Sequence, residues 1–353
     1  FAQGHPPFFF FFSPGVADPE ELSRVGGSRG TIENEKTQIS AEVNPIQEDR
    51  STMFASSYRA TLAGAFLALL VALPAGGLTA QKITLEEQSE WGPGLTYHNN
   101  MLVMAWAGRA AADQPHKLNV IQSSEGIDWR RKITLEERTD HPPSVTSFNG
   151  RLYMAWTGRD GKLNIIRSQE GIDWGAKITL EERSNLEPSI VALEGRLYLL
   201  WLGRDNKINI IRSSDGIDWG GKVTLEERTE DRPALTAHDG RLYIAWTGRG
   251  NEQINIMRST DGIDWGGKVI LEEQSNVGPG LTTFNNRLYL VWTGRGNEQL
   301  NIMRSSEGID WGGKITLDDH TNDSPMVAAF NNKIYIAFTG PGGNDKLNIM
   351  MSS

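Results

Sequence analysis

The chain of 353 residues contains no cysteine. Disulfides, thiolate zinc sites and cysteine nucleophiles are therefore excluded. It lacks an excess of positive charge: 44 acidic residues against 35 basic ones give a formal net charge of −9. That balance argues against a nucleic-acid backbone or an anionic membrane as the main partner. A helical period of apolar residues is missing throughout residues 81–353. Long hydrophobic runs are also scarce. The most apolar stretch, Leu62–Leu73, is short for a membrane span, which needs about 20 residues.

Glycine, by contrast, is plentiful at 38 residues, and tryptophan is frequent at 11. Both suit short strands joined by tight turns. The first 80 residues differ from the rest. Residues 1–52 open with "FAQGHPPFFFFFSPG" and continue without a period of 2 or 3.6. They are expected to be disordered or to lie upstream of the natural start. Residues 53–80 begin at Met53, carry Arg59, pass through the apolar run and end in small residues before Ala80. This is the pattern of a secretory signal peptide, and it predicts a secreted or cell-surface protein with no membrane span in its mature form.

From Lys82 the chain repeats. "KITLEE" or a variant begins at Lys82, Lys132, Lys177, Lys222, Lys268 and Lys314, in steps of 50, 45, 45, 46 and 46 residues. The longer first step holds the insertion "AAADQPH". Within one unit, "PSVTSFNG", "RLYMAWTG", "KLNIIRS" and "GIDWGAKITLEE" read as four short strands with hairpin-sized links. Such a sheet is apolar on both faces, so neighbouring units must stack to cover it. A ring of twisted four-stranded sheets achieves this and leaves only short edges.

The "GIDW" turn occurs five times whereas the "KITLEE" strand occurs six times. The chain thus starts with a lone fourth strand, residues 82–87, and ends with three strands lacking one. Joining them predicts an all-β, six-bladed β-propeller over residues 81–353, closed between Lys82–Glu87 and the segment near Leu347–Met351.

The turns read S-x-[DE]-G-I-D-W, with Glu125 and Trp129, Glu170 and Trp174, Asp215 and Trp219, Asp261 and Trp265, and Glu307 and Trp311. They resemble the Asp-box of sialidases and related secreted propellers, without the residue between acid and glycine and with Glu in three copies. The resemblance implies a structural turn between the third and fourth strands, facing away from any active site. The whole repeat region also looks like bacterial surface propellers for which carbohydrate binding is usual. In physical terms, the acid is expected to accept backbone N–H bonds and the glycine to supply the special backbone conformation.

In a meander, alternate loops share a face of the ring. One face should carry Arg109, Arg159, Arg204, Arg249 and Arg295, interrupted by Pro341 in the last blade. It should also carry the acids Glu86, Glu136, Glu181, Glu226, Glu272 and Asp318, and the second acids Glu87, Glu137, Glu182, Glu227, Glu273 and Asp319. These side chains suit hydrogen bonding to sugar hydroxyls, repeated for avidity. They equally suit ion pairs between blades. The tryptophans of "AWTG" lie mid-strand and read as core. Trp91, in "SEWGPG", is read as standing alone where other blades have polar residues and is the best single candidate for stacking on a sugar. No histidine pair has metal-ligand spacing, and no nucleophile elbow or phosphate loop is present, so no metal or cofactor is expected.

With blades so nearly interchangeable, no blade offers a distinct set of acid and nucleophile. The expectation is a multivalent lectin-like propeller without catalysis, binding glycans. The alternative is a structural or protein-binding scaffold at the cell surface, with other extracellular proteins as partners. A sialidase-like glycosidase comes third.

Overall fold

The computed structural model describes residues 69–71, 80–109, 116–342 and 345–352. The expected leader of residues 1–52 lies outside them, as does most of the expected signal peptide.

Six antiparallel sheets form, five of them meanders in chain order. The first blade comprises Gly94–His98, Met101–Ala107, His116–Ser123 and Arg130–Thr139, and the next four repeat the plan. The sixth takes Met326–Phe330, Lys333–Thr339 and Lys346–Ser352 from the end of the chain and Ala80–Gln88 from its start. Ile83 pairs with Ile349 and Thr84 with Asn348, so the ring closes as the offset predicts. The closing strand begins earlier than residue 82, with Ala80 opposite Ser352. A short strand, Leu69–Val71, adds to its outer edge, pairing Leu69 with Lys82. Among the described residues no helix is long and apolar enough to cross a membrane.

The alternation of "RLYMAWT" explains the packing. Leu152, Met154 and Trp156 face the first blade, while Tyr153 and Ala155 face the third. Trp106, Trp156, Trp201, Trp246 and Trp292 are each 1% exposed and Phe338 is fully buried, which places them in the core between blades. Burying an aromatic of this size is among the largest contributions a single side chain makes.

The two faces follow the meander. On one, His98 bonds the carbonyl of Gln169 in a turn of the next blade. On the other, Ser184 N–H donates to Gly161 O at 2.9 Å, joining a blade-to-blade connection to the Gly–Arg turn.

The GIDW turns are built by their serine more than by their acid. Ser123, Ser168, Ser213, Ser259 and Ser305 each accept the N–H of the turn glycine at 2.8–2.9 Å. Asp215 Oδ1 additionally accepts from Ile217 and Asp218, and Asp261 Oδ1 from Ile263 and Asp264. These bonds lower both aspartate pKa values. Among the described residues, Glu125, Glu170 and Glu307 make no matching bonds to the turn. Their side chains are one carbon longer, which corrects the expectation that the acid locks every turn. Trp129 and Trp174 donate their ring N–H to the carbonyls of Gly126 and Gly171, while Trp219, Trp265 and Trp311 pack against the core and find no acceptor for theirs among the described residues.

Candidate active site at the axial mouth

The six blade-to-blade connections share a buried hydroxyl: Ser89, Thr139, Ser184, Thr229, Ser275 and Thr321. Each accepts the backbone N–H of the residue two positions later, at 3.0–3.3 Å. This bond fixes six equivalent residues around the axis: Trp91, His141, Leu186, Asp231, Val277 and Asp323. Here the blades stop being interchangeable. The six positions hold an indole, an imidazole, two aliphatic side chains and two carboxylates. Trp91 therefore does not stand alone among polar residues, as the sequence suggested; Leu186 and Val277 occupy the same place.

The next position in each connection adds Glu187 and Arg232 to the mouth. Arg232 Nε lies 3.0 Å from Glu187 Oε1, and the two side chains are only 5% and 12% exposed. An Arg232 terminal N–H also points at the carbonyls of Pro279 and Pro325, at 3.5 and 3.4 Å. Arg232 thus links connections around half the ring. Asp323 accepts a hydrogen bond from Thr339 and its backbone carbonyl accepts one from Thr293 at 2.9 Å.

Together these residues border a cavity of about 210 Å³ at the axis. Trp91 stands at its rim, edge-on to His116 at 4.9 Å and tilted against His141 at 6.2 Å. Burial and the nearby carboxylate of Glu187 raise the Asp231 pKa from an ordinary 3.8 to about 6, with Glu230 and Glu252 adding to the shift. Burial, and then Glu187 and Asp345, raise that of Asp323 against the Thr339 hydrogen bond, which lowers it. Two carboxyl groups that resist ionisation beside an arginine-paired carboxylate are the raw material of acid–base chemistry.

The per-blade residues lie further out. Glu137, Glu182, Glu227 and Glu273 pair at 2.5–2.6 Å with Lys177, Lys222, Lys268 and Lys314 of the following blade. Glu87 pairs likewise with Lys132, and Asp319 with Lys82. Each of these lysines also sits 5.2–5.5 Å over the ring of Trp106, Trp156, Trp201, Trp246, Trp292 or Phe338. A ladder of carboxylate, ammonium and aromatic ring therefore runs around the propeller. Arg109 pairs with Asp345 at 2.5 Å, Arg159 with Asp140 at 3.3 Å, Arg249 with Glu230 at 2.8 Å and Arg295 with Glu252 at 2.5 Å. Arg204 reaches the Gly161 turn of the preceding blade. A groove of about 470 Å³ between the sixth and first blades is bordered by Glu87, Trp106, Arg109 and Lys132.

No family model matches the chain, and no curated protein does. Solved structures do match. The NanB sialidase from Streptococcus pneumoniae aligns with a TM-score of 0.59 at 9% identity, over 76% of this chain and 70% of that one. The Trypanosoma rangeli sialidase in complex with the inhibitor DANA aligns at 0.54 and 13% identity, over 78% and 56%. The BP39L lectin from Burkholderia pseudomallei aligns at 0.52 and 12% identity, over 76% and 97%. The chain has a six-bladed propeller fold similar to that of sialidases.

These matches correct the expectation of a propeller without catalysis. The fold is shared with sialidases as well as with a lectin, so it gives no ground for denying the chain an enzymatic role. The argument from interchangeable blades fails as well, because it averaged over the connections. Aligning the six connections on their Ser or Thr would have exposed Asp231, Asp323, Glu187 and Arg232 from the sequence.

Proposed function

We propose that the protein is a glycoside hydrolase whose reaction takes place in the axial mouth. The observation that carries this reading is the convergence of Glu187, Asp231 and Asp323 on one cavity in an otherwise redundant ring. Asp231, with its pKa raised to about 6, holds a proton in mildly acidic solution and is suited to give it to the departing glycosidic oxygen. The bond from the anomeric carbon to that oxygen breaks, and water supplies the new one. Glu187, oriented by Arg232, is suited to take the proton of that water. Asp323 completes the polar wall, and Trp91 offers its ring to the sugar's apolar face.

The outer ladder serves the framework in this reading. The groove near Glu87 and Arg109 gives a longer glycan a path away from the mouth along the connection that carries Trp91. The five S-x-[DE]-G-I-D-W turns are read as shortened Asp-boxes, and residues 53–80 as an export signal.

A panel of fluorogenic glycosides tests the assignment. Turnover of at least one, reduced at least about a thousandfold in both Asp231→Asn and Glu187→Gln with the fold intact by circular dichroism, is expected. Turnover that survives both substitutions would move the chemistry elsewhere.

A further inference from the structure

The charge around the mouth narrows the class of sugar it accepts. Resting on the hydrolase reading above, we infer that the cavity takes an uncharged sugar ring and rejects carboxylated ones.

Glu187, Asp231 and Asp323 all border the cavity, and among the described residues Arg232 is the only permanently cationic side chain that does. Arg232 is not available to a ligand. It is 5% exposed, its Nε faces Glu187 at 3.0 Å and its terminal nitrogen faces two proline carbonyls. A substrate carboxylate could reach it only by displacing Glu187 and leaving that carboxylate buried without its partner.

The surrounding ring repeats the sign. Glu90, Asp140 and Glu230 each immediately precede a mouth residue. Basic side chains beside them are already engaged: Arg159 with Asp140 and Arg249 with Glu230, while the His116 ring lies 3.4 Å from Glu90. Glu187 and Glu230 are among the charges that raise the Asp231 pKa, and Glu187 is among those that raise that of Asp323. A second anion entering this low-dielectric space would meet repulsion and lose hydration with no compensating partner.

The remaining walls are apolar. Trp91, Leu186, Val277 and Met326 border the cavity and suit the C–H face of a neutral ring. Its volume of about 210 Å³ is below the roughly 300–1,000 Å³ of sites for larger ligands and suits a single sugar unit.

The test compares kcat/KM of the full chain on methylumbelliferyl pentosides and hexosides with the matching glucuronide and sialoside. The best neutral substrate should exceed both charged ones by at least about a hundredfold. A sialoside or glucuronide turned over as fast as the best neutral sugar would overturn the inference. If nothing is hydrolysed, the hydrolase reading fails, and the charge inference is read from binding instead. Trp91 fluorescence and saturation-transfer NMR should then register glucose or xylose and not glucuronate; equal or tighter binding of glucuronate, or no binding of either, counts against it. Glu230 adds to the Asp231 shift but holds no proposed proton-transfer role, so its variant is read as a ratio between two substrates and not as a rate. Glu230→Gln should raise the glucuronide-to-glucoside ratio, in turnover or affinity, by about threefold or more at low salt, and an unchanged ratio would mean that charge does not set the preference.

Discussion

The hydroxyl of Tyr153 in the second blade donates to the backbone carbonyl of Asp215 in the third, at 3.3 Å. Tyr198 reaches Asp261, Tyr243 reaches Glu307 and Tyr335 reaches Glu125 in the same way. Gly216, at φ +73°, leaves room for this contact: a Cβ there would lie 2.2 Å from the tyrosine ring. The first blade has Val103 in place of the tyrosine, and Gln122 fills the gap by donating to Glu170 O at 2.6 Å. Each turn glycine is therefore both a turn residue and a seat for the neighbouring blade.

Gly216→Ala should accordingly cost more than a left-handed backbone alone. We expect at least about 3 kcal/mol by chemical denaturation, against about 1 kcal/mol for Gly150→Ala, where φ is +69° and nothing lies within 4 Å. Equal costs would mean that the tyrosine seat contributes nothing.

The ladder of charge and ring should be cooperative but modest. Lys177→Ala removes both the pair with Glu137 and the contact over Trp156, and we expect a loss of about 1 kcal/mol. A double-mutant cycle with Glu137→Gln should show coupling below about 1 kcal/mol, falling with added salt.

Arg232 is the most consequential charge. Arg232→Met strands Glu187 in a buried setting and should cost about 3–5 kcal/mol. Adding Glu187→Gln should recover part of that loss, which equilibrium unfolding of the single and double variants measures.

Asp231 links stability to pH. Its folded-state pKa, about 6 against an ordinary 3.8, means that the folded protein holds the proton more tightly than the unfolded chain. Stability therefore falls as pH rises through that window, and the whole penalty is present above about 6. Asp231→Asn should be more stable than the wild type by about 1–2 kcal/mol at pH 7.5, discounted for partial exposure, with the gain vanishing near pH 3.5. Thermal unfolding across that range checks the sign.

Closure depends on the strand Ala80–Gln88. A chain lacking residues 1–88 leaves Lys346–Ser352 as an unpaired edge. We expect it to oligomerise or precipitate, as light scattering after size exclusion would register. Restoring a peptide of residues 80–88 should reduce this.

The sequence alone determined the number of blades, the strands within each and the way the ring closes. These follow from local rules: alternating apolar residues, turn pairs and a count of repeats that differs between "GIDW" and "KITLEE". It also placed the mid-strand tryptophans in the core, since aromatic side chains at one register position need cover from the next unit. What the tertiary structure decided was the mouth. Glu187, Asp231 and Asp323 come from three connections separated by whole blades, and only the circular arrangement brings them to one axis. The raised pKa values of Asp231 and Asp323 depend on burial and on the nearby charge of Glu187, neither of which is in place until the ring is shut. The fate of the outer arginines and glutamates was settled at the same level, because whether a surface charge faces solvent or an opposite charge depends on how the next blade is set beside it.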